Sequence, residues 1–554
     1  MAKESRQKHR FRRGRQVTAS AIQEVAEFIE DLPLRRDLLI EYLHRIQDHY
    51  HYLSAAHLAA LAHILKLSQV EVYEVASFYH HFDIVKEGDS APAELTIRVC
   101  DSISCEMKGA NELVATLQNS GIKHARIQRV PCVGRCAQAP VAVVGTCPVA
   151  EATPEKISQT VDQGLDTEIY PDVLTYEEYR DLGGYSFYAQ LKQTFNVDKK
   201  EQIIKTLEDS GLRGAGFPTG RKWRIVSQQP APRYMAVNID EGEPGTFKDR
   251  YYLEKDPRKF IEGMLIAALA LEVELIVVYI RDEYPAIRQM LIAEFNSFRD
   301  DPDCVVPEIQ LRRGAGSYVC GEESAMLESI EGKRGMPRLR PPYVAERGLF
   351  GKPTLVHNME TLYWVRDIIV KGAHWFASQG RHGRHGLRSF SVSGRVNKPG
   401  VYQAPAGITL NELVNEYCDG MQVGHTLYGY LPGGASGGIL PASLADIPLD
   451  FDTLQDYGCF IGSAAIIVFS QADSARQIAL NAMRFFRHES CGQCTPCRIG
   501  CEKAVALMEQ DQWDMSLMQD LSNVMRDASI CGLGQAAPNP MDCVMRYFPQ
   551  ELES

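Results

Sequence analysis

Eight of the 15 cysteines in this 554-residue chain fall into two groups. Four stand at Cys100, Cys105, Cys132 and Cys136, and four more lie within residues 491–501. No charged-then-apolar secretory leader opens the sequence, so the thiols are expected to stay reduced rather than to form a disulfide framework. Closely spaced reduced thiols favour the binding of a metal ion or an iron–sulfur cluster.

The C-terminal group contains two overlapping Cys-x-x-Cys steps, formed by Cys491, Cys494 and Cys497. Three thiolates at this spacing suit three corners of an iron–sulfur cubane. Structural zinc is the alternative, although zinc sites usually join two separate pairs of ligands. The fourth ligand is either Cys501, which completes a ferredoxin-like run without its usual proline, or Cys531. We favour Cys531, because the glycines that follow it let the backbone close over a cluster.

In the first group, Cys100 and Cys132 each follow a predicted strand, and each has a second cysteine on the same loop. Two loop pairs of thiolates fit a 2Fe–2S rhomb, with one pair on each iron. Zinc, or an unrelated set of reduced thiols, is the alternative. The cysteines outside the two favoured ligand sets are expected to be small buried apolar residues: Cys147, Cys304, Cys320, Cys418, Cys459, Cys501 and Cys543.

Length and charge narrow the class of protein. A chain of 554 residues predicts three or four domains. The apolar stretch 264–280 carries Glu272 and Glu274, which excludes a membrane span and indicates a buried helix that leads into a strand. A net charge of −12 without a basic stripe argues against nucleic acid as the main ligand. We expect a soluble cytoplasmic protein.

The first residues depart from this acidic composition. Residues 1–15 contain seven lysines and arginines against one glutamate. Such a run predicts a solvated, disordered tail, and a docking arm for an acidic partner or RNA is the alternative.

Hydrophobic periodicity predicts mixed α/β structure flanked by helices. Residues 17–85 are predicted to be helical, and so is the chain from residue 474 onwards. Between them, a hairpin around 396–402 marks a small β-rich module. The predicted strands are 95–99, 125–130, 141–144, 234–239, 275–280 and 308–311, and the predicted helices between them are 110–118, 258–270, 285–298 and 410–418.

Three segments of the larger α/β region have the composition of ligand-binding loops. Residues 211–223 offer close backbone approach, amide donors and Lys222, as a phosphate or dinucleotide requires. Residues 238–250 place carboxylates on a turn after a strand, and residues 314–323 form a glycine-lined bend. Each segment alone is also compatible with an ordinary turn. The one G-x-G-x-x-A match starts at Gly532, too near the end for a Rossmann βαβ unit.

With these motifs in this order, residues 178–554 resemble the flavin-bearing, NADH-oxidising subunit of respiratory complex I. Residues 17–165 resemble the small thioredoxin-like 2Fe–2S subunit of that complex. Such fusions occur in the diaphorase subunits of NAD-dependent formate dehydrogenases and of NAD-reducing hydrogenases. The stretches 489–498 and 530–540 look most like the formate dehydrogenase beta subunit.

The resemblance implies FMN, NAD, a 4Fe–4S cluster and a 2Fe–2S cluster. The eight cluster ligands would be Cys491, Cys494, Cys497 and Cys531 for the first cluster, and Cys100, Cys105, Cys132 and Cys136 for the second. Residues that cradle FMN would be Asn238, Asp240, Gly321 and Glu322, with Asn358 and Thr361 at its phosphate. Residues facing NAD(H) would be Gly214, Gly216, Phe217 on adenine, Lys222 near the flavin, Glu243, Glu323 and Phe350. Glu241 and Tyr318, from the same motifs, complete the predicted set.

The sequence also departs from the family pattern at three places. The glycine loop is shortened, or carries Arg213 at a glycine position, because Gly214 and Gly216 follow Leu-Arg directly. His357 stands where the family commonly has an asparagine, and Ile225 replaces a common aromatic residue.

The resemblance implies a multidomain α/β fold with a Rossmann-like flavin domain that lacks G-x-G-x-x-G. The expected parts are a basic tail (1–16), a helical region (17–90), a thioredoxin-like 2Fe–2S domain (91–170), an FMN- and NAD-binding domain (171–384), a β-grasp-like domain (385–472) and a helical 4Fe–4S domain (473–554).

The expected function is to pass electrons between iron–sulfur clusters and NAD through FMN. Electrons would come from formate, oxidised in a partner subunit that holds molybdenum or tungsten and further clusters. The alternatives are the diaphorase of an NAD-reducing hydrogenase, a complex I-like module, or a non-enzymatic iron–sulfur scaffold whose flavin site has degenerated. Hydride transfer requires no acid–base side chain, so we assign no catalytic residue.

Overall fold

The computed structural model describes residues 15–119, 122, 125–214, 216–302 and 304–552. Residues 1–14 of the predicted basic tail lie outside the described residues. The chain divides into two units: Met1–Pro92 with Ile330–Arg334, and the remainder. No helix among the described residues has both the length and the apolar character needed to cross a bilayer.

The first unit is helical, as its periodicity predicts. Thr18 caps its first helix, whose buried face includes Val25 and Ile29. Ser68 and Glu71 form a capping box at the start of the fourth helix. Its elements are α1 (Ala19–Ile29), α2 (Leu39–Tyr50), β1 (Leu53–Ser54), α3 (Ala55–Leu65), α4 (Gln69–Ala76) and β2 (Ile84–Val85), and the two short strands pair in parallel.

The second unit begins with a four-stranded sheet in the order β4-β3-β5-β6. Strands β3 and β4 are parallel, so a crossover helix joins them, whereas β5 runs antiparallel to β3. The elements are β3 (Leu95–Cys100), α5 (Ile103–Glu106), α6 (Ala110–Asn119), β4 (Ala125–Val130), β5 (Ala142–Val144), β6 (Cys147–Val149) and α7 (Pro154–Asp162).

A parallel sheet in the order β11-β10-β9-β12 organises the next region. The chain enters at β9, extends to one side through β10 and β11, and then returns to place β12 on the other side. The strand order therefore reverses between β9 and β12, and ligands of open α/β sheets bind beyond the carboxyl ends of strands at such a switch point. Strand β9 ends immediately before Asp240, and β12 ends at Asn358.

Helices α13, α14 and α16 contact strands of this sheet, and α13 packs against α16. The elements are α8 (Tyr176–Asp181), α9 (Ser186–Gln193), α10 (Val197–Ser210), β7 (Arg213–Gly214), β8 (Phe217–Pro218), α11 (Thr219–Ser227), β9 (Arg233–Ile239), α12 (Lys248–Lys255), α13 (Pro257–Ala270), β10 (Val273–Ile280), α14 (Pro285–Asp300), β11 (Glu308–Arg313), α15 (Glu323–Ile330), β12 (Thr354–Asn358), α16 (Met359–Lys371) and α17 (Ala373–Ala377).

A mixed sheet in the order β14-β13-β17-β15-β16 follows, and five helices complete the chain. The sheet contains the predicted hairpin, since β13 and β14 pair antiparallel. Its elements are β13 (Leu387–Gly394), β14 (Gly400–Pro405), α18 (Leu410–Tyr417), β15 (Leu427–Leu431), β16 (Leu440–Pro441) and β17 (Ala465–Ser470), and the C-terminal helices are α19 (Ala475–Glu489), α20 (Thr495–Met508), α21 (Met515–Ala528), α22 (Gly532–Ala536) and α23 (Asn539–Tyr547). The predicted multidomain α/β fold is confirmed.

Candidate functional site: two cysteine clusters and a flavin cavity

The C-terminal cysteines converge around one small cavity. Cys491 and Cys494 lie on the loop between α19 and α20, Cys497 lies in the first turn of α20, and Cys531 immediately precedes α22. All four line this cavity, which Val319 and Leu533 also border. Four thiols around a common space form the donor set that a cubane cluster requires.

Cys501 is placed differently. It lies one helical turn after Cys497, has no exposed surface, and does not line the cavity. A hydrogen bond with Cys497 and burial both raise the pKa of its thiol. The geometry thus favours Cys531 over Cys501 as the fourth ligand.

The first cysteine group forms a second buried cluster. Cys100 ends β3, Cys105 lies in α5, and Cys132 and Cys136 flank a loop after β4. All four are at most 5% exposed, and the Sγ atoms of Cys132 and Cys136 are 3.2 Å apart. Hydrogen bonds with Cys100 and Cys136 lower the pKa of the Cys132 thiol most strongly, and the Arg281 charge adds to this effect. The four thiols are close enough to share one small cluster.

The switch point of the parallel sheet opens into a cavity of about 410 Å³. Ten of the 15 residues predicted to bind cofactors line it: Gly214, Asn238, Asp240, Glu241, Glu243, Tyr318, Gly321, Glu322, Asn358 and Thr361. The other five, Gly216, Phe217, Lys222, Glu323 and Phe350, are not among its lining residues.

Two observations indicate that this cavity suits a flavin nucleotide. The Oδ2 atom of Asp240 is buried and has no hydrogen-bond partner among the described residues. Burial raises the pKa of Asp240, although the charge of Arg281 opposes the rise. The N–H and hydroxyl donors of a flavin would satisfy such an acceptor. In addition, a Cβ at Gly214 would lie 2.7 Å from Thr361 Oγ1, so glycine preserves space beside the cavity wall.

Glu243 is fixed at another wall of the cavity. The backbone N–H of Ser436 donates to its carboxylate at 2.7 Å, and the Tyr318 hydroxyl donates to the other oxygen. Burial raises the pKa of Glu243, while these two hydrogen bonds lower it. The carboxylate is therefore held in one orientation at the cavity surface.

The carboxylate of Glu241 accepts hydrogen bonds from the protein itself. Its carboxylate accepts hydrogen bonds from the backbone N–H groups of Asp249 and Arg250, at 2.8 and 3.2 Å, and from the Tyr284 hydroxyl at 2.9 Å. Although Glu241 lines the cavity, these donors occupy its carboxylate. It shapes the loop that carries Asp240 and Glu243.

Several lining residues are not predicted from the sequence. Lys248 is buried, donates to Asn358 Oδ1 at 3.1 Å and lies 2.7 Å from Asp249. It places a cation beside the residues predicted to meet the FMN phosphate. Lys248 lies within the acidic segment 238–250, which the sequence already marks as a candidate ligand-binding loop, so its role could have been predicted from that motif. No local pattern marks further lining residues such as Arg388, Ser436, Phe451, Phe460 and Ser463.

Most of the residues predicted to contact NAD(H) lie outside the cavity lining. Phe217 and Phe350 are 40% and 38% exposed, and Phe350 has a left-handed backbone with φ of 49°. Lys222 donates to the Val356 carbonyl at 3.1 Å and lies 3.7 Å from Glu323. Two exposed aromatic rings and a cation next to a carboxylate are suitable contacts for a dinucleotide.

The departures from the family pattern have structural counterparts. Arg213 forms an ion pair of 2.7 Å with Asp452, and a Cβ at Gly216 would lie 3.5 Å from the Phe451 ring. The β-rich module therefore packs against the short glycine loop. His357 is buried and accepts a hydrogen bond of 2.8 Å from the Trp223 indole.

Three sequence families match the chain. Residues 25–164 match the thioredoxin-like [2Fe-2S] ferredoxin family, and residues 204–367 match the Nuo51 FMN-binding domain. Residues 477–554 match the NADH-ubiquinone oxidoreductase-F iron–sulfur binding region. These matches confirm the predicted cofactors: FMN, a 2Fe–2S cluster and a 4Fe–4S cluster in an NADH-reacting protein.

Curated relatives are similar over most of their length. An F-type NADH-quinone oxidoreductase subunit of Rhizobium meliloti (strain 1021) is 38% identical over 69% of this chain and 94% of the relative. Its counterpart in Aquifex aeolicus (strain VF5) is 40% identical over 69% of this chain and 92% of the relative. The chain is thus an NAD-dependent flavin and iron–sulfur oxidoreductase subunit. It belongs to the family of F-type NADH-quinone oxidoreductase subunits, here fused to a thioredoxin-like 2Fe–2S region.

Solved structures extend this likeness to the N-terminal region. A chain of an NAD⁺-reducing [NiFe]-hydrogenase in the H₂-reduced state superposes with a TM-score of 0.81 and 30% identity. The match covers 94% of this chain and 93% of the hydrogenase chain. These relatives are subunits of multi-subunit enzymes.

Proposed function

We propose that this chain is the diaphorase subunit of a formate dehydrogenase and passes electrons from a partner subunit to NAD⁺. The observation that carries the proposal is that two cavities share part of their walls. Val319 and Leu533 line both the flavin cavity and the small cavity of the C-terminal cysteines. A single layer of side chains would separate the two cofactors, and this favours direct electron exchange.

When bound, FMN supplies a centre that exchanges hydride with nicotinamide and single electrons with clusters. The chain's residues would position it. Asp240 and Asn238 would meet the donors and acceptors of the ring at the switch point. Lys248, with Asn358 and Thr361, would hold the phosphate. The two cysteine groups would bind the two clusters with the ligand sets given above.

The nicotinamide side would combine two exposed aromatic rings with less exposed polar side chains. Phe217 and Phe350 would provide aromatic surfaces for the nucleotide, and Glu323 with Lys222 would provide polar contacts. Glu243, fixed by Ser436 and Tyr318, would orient the nicotinamide or its ribose. Hydride transfer requires no acid–base side chain, so these residues need only bind and orient the reactants.

The proposed domain limits are those drawn from the sequence: 17–90, 91–170, 171–384, 385–472 and 473–554, with a basic tail at 1–16. The proposed location is the cytoplasm, and the proposed partner is a catalytic subunit that holds molybdenum or tungsten and further clusters. The intact flavin cavity favours the enzyme over a wiring scaffold with a degenerate flavin site.

A second candidate is the diaphorase subunit of an NAD-reducing hydrogenase. The observation that favours it is the likeness to the hydrogenase chain over more than nine-tenths of both chains. The formate proposal is supported instead by the sequence around the C-terminal cysteines, in residues 489–498 and 530–540.

The test is to purify the chain with its native partners and to compare formate-dependent with hydrogen-dependent NAD⁺ reduction. Electron transfer from NADH to a dye serves as the control for an intact diaphorase in the same preparation. We expect formate to support NAD⁺ reduction. NAD⁺ reduction with hydrogen but not with formate would overturn the formate proposal and identify the chain as a hydrogenase diaphorase subunit.

A further inference from the structure

Arginines surround the loop that carries two of the predicted 2Fe–2S ligands. Arg281 donates to the Cys132 carbonyl at 2.7 Å, and Arg250 donates through Nε to the Gly134 carbonyl at 2.9 Å. Arg135 belongs to the loop itself. All three arginines are less than 9% exposed. Burying three cations is costly unless negative charges lie close to them.

Each arginine also has a glutamate partner. Arg281 pairs with Glu283, Arg250 with Glu254 and Arg135 with Glu168. In the first two pairs the glutamate is nearer to solvent: the side chains of Arg281 and Glu283 are 4% and 21% exposed, and those of Arg250 and Glu254 are 8% and 30% exposed. In both pairs the guanidinium is the more buried end, and it donates to the backbone of the cysteine loop.

Arg281 differs from the other two because it also reaches the flavin loop. It follows β10, and one guanidinium nitrogen donates to the Glu241 carbonyl while the other donates to Cys132. Its charge also acts on Asp240, whose Oδ2 atom has no hydrogen-bond partner among the described residues. One buried cation is thus shared between the flavin cavity and the first cysteine cluster.

We propose that Arg281 sets the reduction potential of the 2Fe–2S cluster by stabilising its reduced form. Reduction adds one electron to the cluster and breaks no bond, so the negative charge beside Arg281 rises by one. A buried cation attracts that added charge more strongly than an exposed cation would. Arg281 is therefore a positioning residue: its charge keeps the reduction potential of the cluster high enough for the flavin to reduce it. The inference rests on the proposed ligand set of Cys100, Cys105, Cys132 and Cys136.

The test is a potentiometric titration of the 2Fe–2S EPR signal in the cofactor-loaded chain, with the 4Fe–4S signal of the same sample as internal reference. For Arg281→Gln we expect the ratio of reduced to oxidised 2Fe–2S cluster at the wild-type midpoint to fall at least tenfold. This corresponds to a downward shift of about 59 mV for a one-electron couple. Glu283→Gln removes the negative partner of Arg281, so the midpoint potential of the 2Fe–2S cluster should shift upward in this variant.

Arg313→Gln is the matched control. Arg313 ends the neighbouring strand β11, and its guanidinium pairs with Asp282, so this variant loses the same charge from an ion pair outside the cysteine loop. Its 2Fe–2S midpoint should shift far less than that of Arg281→Gln. Arg281→Lys keeps the charge and should retain most of the wild-type potential.

Opposite shifts for Arg281→Gln and Glu283→Gln would support the electrostatic role, since a purely structural role gives no such change of sign. Unchanged midpoints in both variants, with intact signals, would overturn it. If Arg281→Gln fails to assemble the cluster, Glu283→Gln and Arg281→Lys decide the question. Absence of any 2Fe–2S signal in the wild-type chain would instead overturn the ligand assignment, whatever the partner's substrate.

Discussion

The backbone N–H of Tyr318 donates a hydrogen bond of 2.8 Å to the Glu489 carboxylate. Tyr318 lines the flavin cavity, and Glu489 ends α19 shortly before the first cysteine of the C-terminal group. The contact joins the wall of the flavin cavity to the loop that carries Cys491 and Cys494. Movement of either site is therefore expected to affect the other.

The first prediction concerns this contact. Glu489→Ala leaves the Tyr318 N–H without its acceptor, at a cost of about 1–3 kcal/mol. We expect slower reduction of the 4Fe–4S cluster by NADH, with flavin bleaching less affected, in anaerobic stopped-flow measurements. Glu489→Gln is the control, because its amide oxygen can still accept the bond. Equal behaviour of the two variants would show that the hydrogen bond has no such role.

The fourth ligand of the C-terminal cluster provides the second prediction. Cys531→Ser should lose the intact 4Fe–4S signal in EPR and lower the iron content, because Cys531 lines the cavity shared with Cys491, Cys494 and Cys497. Cys501→Ser should retain the cluster, since Cys501 is buried in α20 and does not line this cavity. The reverse pattern would make Cys501 the ligand.

The cysteine groups are predictable because most of their ligands are near one another in sequence. The residues that line the cavity at the switch point are only partly predictable. Residues at the ends of β9 and β12 belong to motifs that can be read locally, whereas Phe451 and Ser436 reach the cavity from the β-rich module. Nothing in their local sequence indicates this, because domain packing brings them there. The role of Glu241 is also hidden, since a carboxylate that caps backbone N–H groups resembles a ligand-binding one in sequence.

The third prediction follows from Glu241. Burial, and then the charge of Asp249, raise the pKa of Glu241 from 4.5 to about 7. The folded chain therefore keeps a proton that the unfolded chain releases between these values, so stability falls as pH rises from 4.5 to 7. The loss is at most about 3.4 kcal/mol.

Denaturant midpoints at about pH 5 and about pH 7.5 check this dependence. The wild-type midpoint should fall between the two pH values by more than that of Glu241→Gln, which cannot titrate there. Glu241→Gln should also be less stable at both, because its amide group presents donors to the N–H groups of Asp249 and Arg250. An equal pH dependence in both proteins would mean that Glu241 is ionised throughout this range.

The last prediction concerns the exposed ring of Phe217. If this ring stacks on the NAD(H) base, Phe217→Ala removes an interaction of about 1–3 kcal/mol, the range measured for base–aromatic stacking. The KM for NADH should then rise about fivefold or more, while the FMN content stays unchanged because Phe217 does not line the flavin cavity. Leu182→Ala, at another exposed apolar residue, is the control and should leave KM unaltered. A fall in FMN content, with the KM of the loaded protein unchanged, would instead place Phe217 in flavin retention.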